Sequence, residues 1–138
     1  AAQVWLTLAE AASKGWNVGG VSAADYYAGG IKASMEFWGV DDQEAQDYID
    51  AHPYSGIDDI AYEKWVALYL NGPESWAEWR RLDAPALTPA KDILNGTGIP
   101  KRHGYGTRTA SANKANHDAA VAKISGYSQD SKVWWDTK

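Results

Sequence analysis

Between Ile57 and Leu82 two helix-patterned stripes are separated only by Asn71-Gly72-Pro73, and that arrangement leaves the chain few ways to fold. Ile57, Ile60, Ala61, Trp65, Leu68 and Tyr69 recur at the three- and four-residue steps of one helix face. Asn71-Gly72 supplies a stop, because glycine readily takes the left-handed conformation that ends many helices. Pro73 suits a first helical turn, where a missing N–H costs nothing, and Glu74 complements the positive end of the helix dipole. Trp76, Trp79 and Leu82 then recur every third residue as far as Ala84-Pro85. So short a connection obliges the two helices to fold back on each other, and an antiparallel hairpin of the kind that solenoid repeats stack is expected. The first helix of the pair is expected to be well buried.

Three earlier helices are expected. Residues 4 to 15 carry Val4, Leu8 and Ala12 on one stripe, with Trp5, Ala9 and Trp16 nearby and Gly15 as the stop. After Gly19-Gly20, Ser22 with Asp25 three residues on forms a weak capping box that opens a second helix. Its apolar positions are Tyr27, Ile31, Ser34, Met35 and Trp38, it ends at Gly39, and Gly29-Gly30 costs it about 1 kcal/mol per glycine in propensity. Asp41 with Glu44 starts a short third helix through Ile49, closed by His52-Pro53 because the residue before proline avoids helical angles. After Pro85, glycines and prolines interrupt any period for about twenty residues, which predicts loop. A last short helix, Asp118 to Ile124, is expected with Asn116 as its cap, followed by an extended tail ending Val133-Trp134-Trp135-Asp136 in which the tryptophans do not float freely. The expectation is therefore one all-α segment, helical over 1–84 and loop-rich with one short helix over 85–138.

Composition narrows the function. A net charge of -5 gives no electrostatic reason to approach nucleic acid, whose phosphates need Lys and Arg. No apolar run approaches the roughly 20 residues that span a bilayer. With no Cys there is no disulfide, thiolate metal site, thiol nucleophile or attachment point for a lipid on cysteine. The first segment reads as the middle of a helix, so the chain is expected to be a piece of a longer protein. Eight Trp and 8 Tyr stand against a single Phe, and residues with a large apolar body and a polar tip suit either wet binding surfaces or helix seams.

The order of these signals resembles the C-terminal part of the SusD/RagB family. The resemblance is carried by Leu8-Ala9-Glu10-Ala11-Ala12 reaching Gly15-Trp16, by Ile31-Lys32-Ala33-Ser34-Met35-Glu36-Phe37-Trp38-Gly39-Val40, and by Lys64-Trp65-Val66-Ala67-Leu68-Tyr69-Leu70-Asn71-Gly72. It continues through Glu74-Ser75-Trp76-Ala77-Glu78-Trp79-Arg80-Arg81, Ile99-Pro100-Lys101-Arg102 and the terminal Val133-Trp134-Trp135-Asp136. The resemblance implies helical hairpins of a tetratricopeptide-like, SusD-like type with a long irregular C-terminal segment. It implies a non-catalytic lipoprotein on the outer face of the bacterial outer membrane, holding an oligo- or polysaccharide over a TonB-dependent transporter of the SusC type. The lipid anchor and the missing N-terminal part of the same protein would lie upstream of Ala1.

Candidate residues sort by setting. Trp76, Trp79, Glu78 and Arg81, with Trp65, could form a sugar platform, but such regular spacing favours a packed seam in which Glu78 pairs with Arg81 one turn on. Asp41-Asp42-Glu44 and Asp58-Asp59 could be hydrolase carboxylates or calcium ligands, yet both clusters fall where helix N-termini attract acids. His52, His103 and His117 are too scattered for a zinc motif, and Lys101-Arg102-His103 is too short to make a basic patch. Gly96-Thr97-Gly98 lacks the Lys of a phosphate loop and reads as a turn, and the glycosylation pattern at Asn95-Gly96-Thr97 is taken as chance. For a glycan the candidates are the loop and tail aromatics Tyr54, Tyr105, Tyr127 and Trp134, because loops carry binding more often than seams do. No cofactor, metal or catalytic residue is expected. The competing readings are a tetratricopeptide-like module that binds a peptide and a glycoside hydrolase fragment.

Overall fold

A computed structural model describes residues 1–93 and 98–136. All regular structure among them is helical, and the chain divides into two compact units, Ala1–Ala86 and Leu87–Lys138.

The first unit holds five helices: α1 Ala2–Ser13, α2 Ala23–Phe37, α3 Asp42–Ala51, α4 Ile57–Ala67 and α5 Gly72–Leu82. Local chemistry sets most of their ends. Ser22 caps α2, its Oγ accepting from the Asp25 N–H at 3.1 Å and donating to the Asp25 carboxylate at 2.7 Å. Asp41 caps α3 through the Gln43 N–H, and Asp59 accepts from the N–H groups of Ser55 and Gly56 ahead of α4. α1 and α2 close alike, with Gly15 and Gly39 at φ +76° and +74° and the next N–H reaching back five residues, from Trp16 to Ala11 and from Val40 to Met35. Glycine is favoured there because a side chain at positive φ meets the backbone.

The core of this unit is built by Leu6, Ala9, Tyr26, Tyr27, Ile31 and Ile60, with Met35, Ile49 and Tyr54 packed against it. Each of the large aliphatic residues here adds roughly 1.5–3 kcal/mol by leaving water. α1 and α2 approach closely at Gly29-Gly30: a Cβ on Gly30 would lie 2.5 Å from Leu6 Cγ, and one on Gly29 2.8 Å from the Trp5 ring. The glycines that weaken α2 as a helix therefore admit α1.

Three expectations for this unit are corrected. The buried stripe of α1 is Leu6, Ala9 and Glu10, whereas Val4 is 64% exposed. α4 ends at Ala67, and the left-handed residue after it is Leu70 (φ +68°), with Gly72 already inside α5. α4 is also not a well-buried apolar helix. Ile60, Ala61 and Leu68 are covered, but Ile57, Trp65 and Tyr69 are exposed, and Glu63 and Lys64 are buried instead. Phe37 and Trp38 are exposed, the Phe37 and Trp38 rings lying 5.1 Å apart and the Trp38 and Tyr69 rings 5.9 Å apart.

The second unit carries two short helices, α6 Thr107–Ala112 and α7 Lys114–Val121, where one was expected. Asn116 lies inside α7 and donates to the side chain of Asn113, the residue preceding the helix. The tail is a series of turns and not an extended strand, held by the Ser131 N–H to Ser128 O (3.2 Å) and the Asp136 N–H to Val133 O (3.0 Å). Trp135 is half-buried, but Trp134 is 92% exposed, contrary to expectation. Asn95-Gly96-Thr97 lies outside the described residues, as does all but Gly98 of the turn expected at Gly96-Thr97-Gly98.

Candidate functional site

Two clusters of chemically capable side chains stand out, one in each unit. In the first, Glu10 of α1 is 5% exposed and receives three cations. Arg81 grips it with two bonds of 2.6 and 2.5 Å, Lys14 reaches it at 2.6 Å and Lys64 at 2.9 Å. Lys64 and Arg81 also meet Glu78, at 3.3 and 2.7 Å, so one network ties α1, α4 and α5 together. Burial pushes the Glu10 carboxyl up, but hydrogen bonds from Arg81, Lys14 and Lys64 overcome it and hold Glu10 well below the usual carboxylate range. Glu78 is lowered in the same way, against its own burial, by Arg81 and Lys64. The guanidinium of Arg81 is raised by its bonds to Glu10 and Glu78. These groups line a hollow of about 310 Å³, but every charge in the cluster already has a protein partner, which is the condition for a buried ion pair to be tolerated.

The other acids are also placed by the helices. Asp59 is lowered chiefly by its hydrogen bond from the Ser55 hydroxyl, the chemistry of a helix start. Burial raises Glu63, opposed by the hydroxyl that Tyr48 donates at 2.9 Å. Trp76 and Trp79 are half-buried in α5, with the Arg80 guanidinium 3.7 Å over the Trp76 ring and Trp79 Nε1 donating to Pro85 O at 3.2 Å. Trp65 is 39% exposed, its ring 6.4 Å from that of Tyr62.

The second cluster involves three of the four aromatic candidates. Tyr105 and Tyr127 stack with ring centres 5.5 Å apart and planes 21° from parallel, and the Tyr105 N–H donates to the Tyr127 hydroxyl at 2.7 Å. His117 of α7 meets Tyr105 edge-on at 5.5 Å. The Arg102 guanidinium lies 5.6 Å from the Tyr105 ring centre and 5.2 Å from that of Tyr127, within range of cation–π attraction. Backbone bonds from the Lys101 and Arg102 N–H groups to Gln129 O, at 2.8 and 3.0 Å, hold this segment against the turn that follows Tyr127. Arg102 also lines a hollow of about 560 Å³ with Lys123, Ile124, Ser125, Ser131, Lys132, Val133 and Trp134. Tyr54 belongs to the first unit, where it is half-buried with its ring 5.7 Å from Tyr27.

Sequence reasoning missed the basic residues of this second cluster. Lys101-Arg102-His103 was too short to be a patch, but folding brings Arg102 together with Lys123 and Lys132. A signal existed: residues 87–138 hold eight Lys and Arg against four Asp and Glu, in a chain whose overall charge is -5. Among the described residues no three or more His, Cys, Asp or Glu gather to hold a metal ion, and no helix is long and apolar enough to cross a membrane.

Comparison with known proteins accords with this helical scaffold. No curated protein matches the sequence significantly. Among solved structures, the chain is similar to a Bacteroidetes SusD-like protein, AC2a, at 29% identity and a TM-score of 0.85, with 99% of this chain and 30% of that one covered. It is similar to a chitin-binding SusD homolog from Flavobacterium johnsoniae at 25% identity and a TM-score of 0.80, covering 99% and 36%. A SusD homolog from Bacteroides vulgatus shares the fold, with a TM-score of 0.77 at 23% identity over 99% and 34%. The chain thus spans about a third of the length of these relatives. Residues 1–106 match a family pattern described as starch-binding and associating with the outer membrane, and the chain belongs to that SusD-like family.

Proposed function

We propose that this chain is part of a non-catalytic carbohydrate-binding protein, the C-terminal part of a SusD-like domain, and that the second unit supplies sugar contacts. The observation that carries the reading is the Tyr105–Tyr127 stack joined through Arg102 to the hollow beneath Trp134. Aromatic faces stack on the C–H faces of pyranose rings, and Arg offers hydrogen bonds to hydroxyls. The family's description as starch-binding and the chitin-binding name of one relative support a carbohydrate as the ligand class. The family's description as associating with the outer membrane supports a place there for the whole protein, and in this reading the whole protein hands its glycan to a transporter of the SusC type. Tyr54, packed on Tyr27, contributes more to the first unit's core than to a sugar.

Retention on a glycan affinity gel tests the site. Tyr105→Ala and Trp134→Ala are each expected to weaken retention several-fold, at about 1 kcal/mol per aromatic contact. Unchanged retention of both variants removes the second unit from the site. A second reading, a peptide-binding module of tetratricopeptide-like type, draws support from the apolar hollow of about 340 Å³ lined by Trp65, Val66, Leu68, Tyr69 and Leu70. Binding of apolar peptides without any glycan would favour it.

A further inference from the structure

We infer that the hollow of the second unit takes an acidic sugar, one bearing a carboxylate or sulfate, an assignment that rests on the glycan-binding reading above. Arg102, Lys123 and Lys132 present three cations to one hollow of about 560 Å³, and no acidic side chain lines it. Gathering like charges raises the energy of the folded chain unless an anion is near. The protein supplies little of that anion. In the second unit Lys114 pairs with Asp118, and Lys132 with Asp136 at 3.7 Å, which leaves Arg102 and Lys123 without a carboxylate partner among the described residues. The Asp136 side chain is 3% exposed and is not among the residues that line the hollow. Arg102 Nε is buried with no hydrogen-bond partner, as are Asp130 Oδ1 and Asp136 Oδ2 in the same unit, and of these three residues only Arg102 lines the hollow.

Size and shape argue for a sugar in place of a bare anion. The hollow falls in the range of about 300–1,000 Å³ common to small-molecule sites and exceeds what a single sulfate would fill. Trp134 offers a nearly free indole face at its edge, and exposed Ser125 adds a hydroxyl. The assignment is thus a ring stacked on Trp134 with its acidic group turned toward Lys123, Lys132 and Arg102.

Calorimetric titration of the whole chain with trigalacturonate, maltotriose and inorganic sulfate tests this. Trigalacturonate should bind about tenfold more tightly than maltotriose at low ionic strength and lose that advantage as salt is added. The double variant Lys123→Gln, Lys132→Gln should lose about tenfold in affinity for trigalacturonate. Trp134→Ala should weaken it too. All three positions are exposed, so these variants should fold, and unchanged circular dichroism checks that they do. Maltotriose bound as tightly as trigalacturonate, with no effect of the lysine changes, overturns the acidic assignment and leaves the glycan reading intact. Sulfate bound as tightly as trigalacturonate, with no effect of Trp134→Ala, overturns it in favour of a plain anion site. Failure to bind either sugar overturns the acidic assignment, and the glycan reading falls with it only if chitin-derived oligosaccharides also fail to bind.

Discussion

Gly30 and Lys64 show how far a residue's role depends on what faces it. Read along the chain, Gly29-Gly30 only costs α2 helix propensity, but in the fold it is the point where Trp5 and Leu6 reach the helix backbone. The two glycines should respond differently to substitution. Gly30→Ala places a methyl group against the branch carbon of Leu6, a side chain with no exposed surface, and overpacking of about 1–3 kcal/mol should outweigh the propensity gain of about 1 kcal/mol. Gly29→Ala meets the ring of Trp5, which is 41% exposed and can swing outward, so it should be close to neutral. Urea denaturation of both variants checks this, and equal losses would show that the Trp5 ring does not give way. Lys64 inverts the usual rule in its own way. It sits at 1% exposure because Glu10 and Glu78 come from other helices to meet it.

At the scale of elements, helix starts were legible and helix faces less so. Ser22, Asp41 and Pro73 act locally, through their own side chains or ring within one turn, so the sequence announces them. The buried face of α1 depends on Glu10 finding Arg81, 71 residues away, and no periodicity of apolar residues shows that. Glu78 with Arg81 could be anticipated at helical spacing, whereas the link of that pair to Glu10 and Lys64 needs three helices in place. This network makes the first unit acid-sensitive in a defined direction. Glu10 and Glu78 stay ionised in the folded chain at pH values where the unfolded chain takes up protons, so their stabilisation is full above the ordinary Glu value of 4.5 and is lost as pH falls below it. Glu63, raised by burial, works the other way and gains stability on protonation. Glu10→Gln should cost about 3–5 kcal/mol at neutral pH by leaving buried cations underpaired, and thermal melts should show that cost shrinking between about pH 5 and pH 3. A cost independent of pH would place the stabilisation in packing and not in charge.

For the whole molecule, the hydrophobic pattern and the family resemblance made the all-helical scaffold readable, since both act through blocks of consecutive residues. The candidate site was only partly readable. Tyr105, Tyr127 and Trp134 could be picked as loop aromatics, but Arg102, Lys123 and Lys132 join them only because turns fold the glycine-rich segment, the end of α7 and the tail together. What the chain is proposed to do as a whole is hold a carbohydrate without altering it: Glu10 and Glu63 are held by Arg81 and Tyr48, and the open cluster of the second unit is aromatic and cationic. Native mass spectrometry of the chain incubated with starch-, chitin- and pectate-derived oligosaccharides reads both halves of that claim at once. The account predicts complexes whose mass equals protein plus intact sugar. Shortened sugars, or no complex with any of the three, would contradict it.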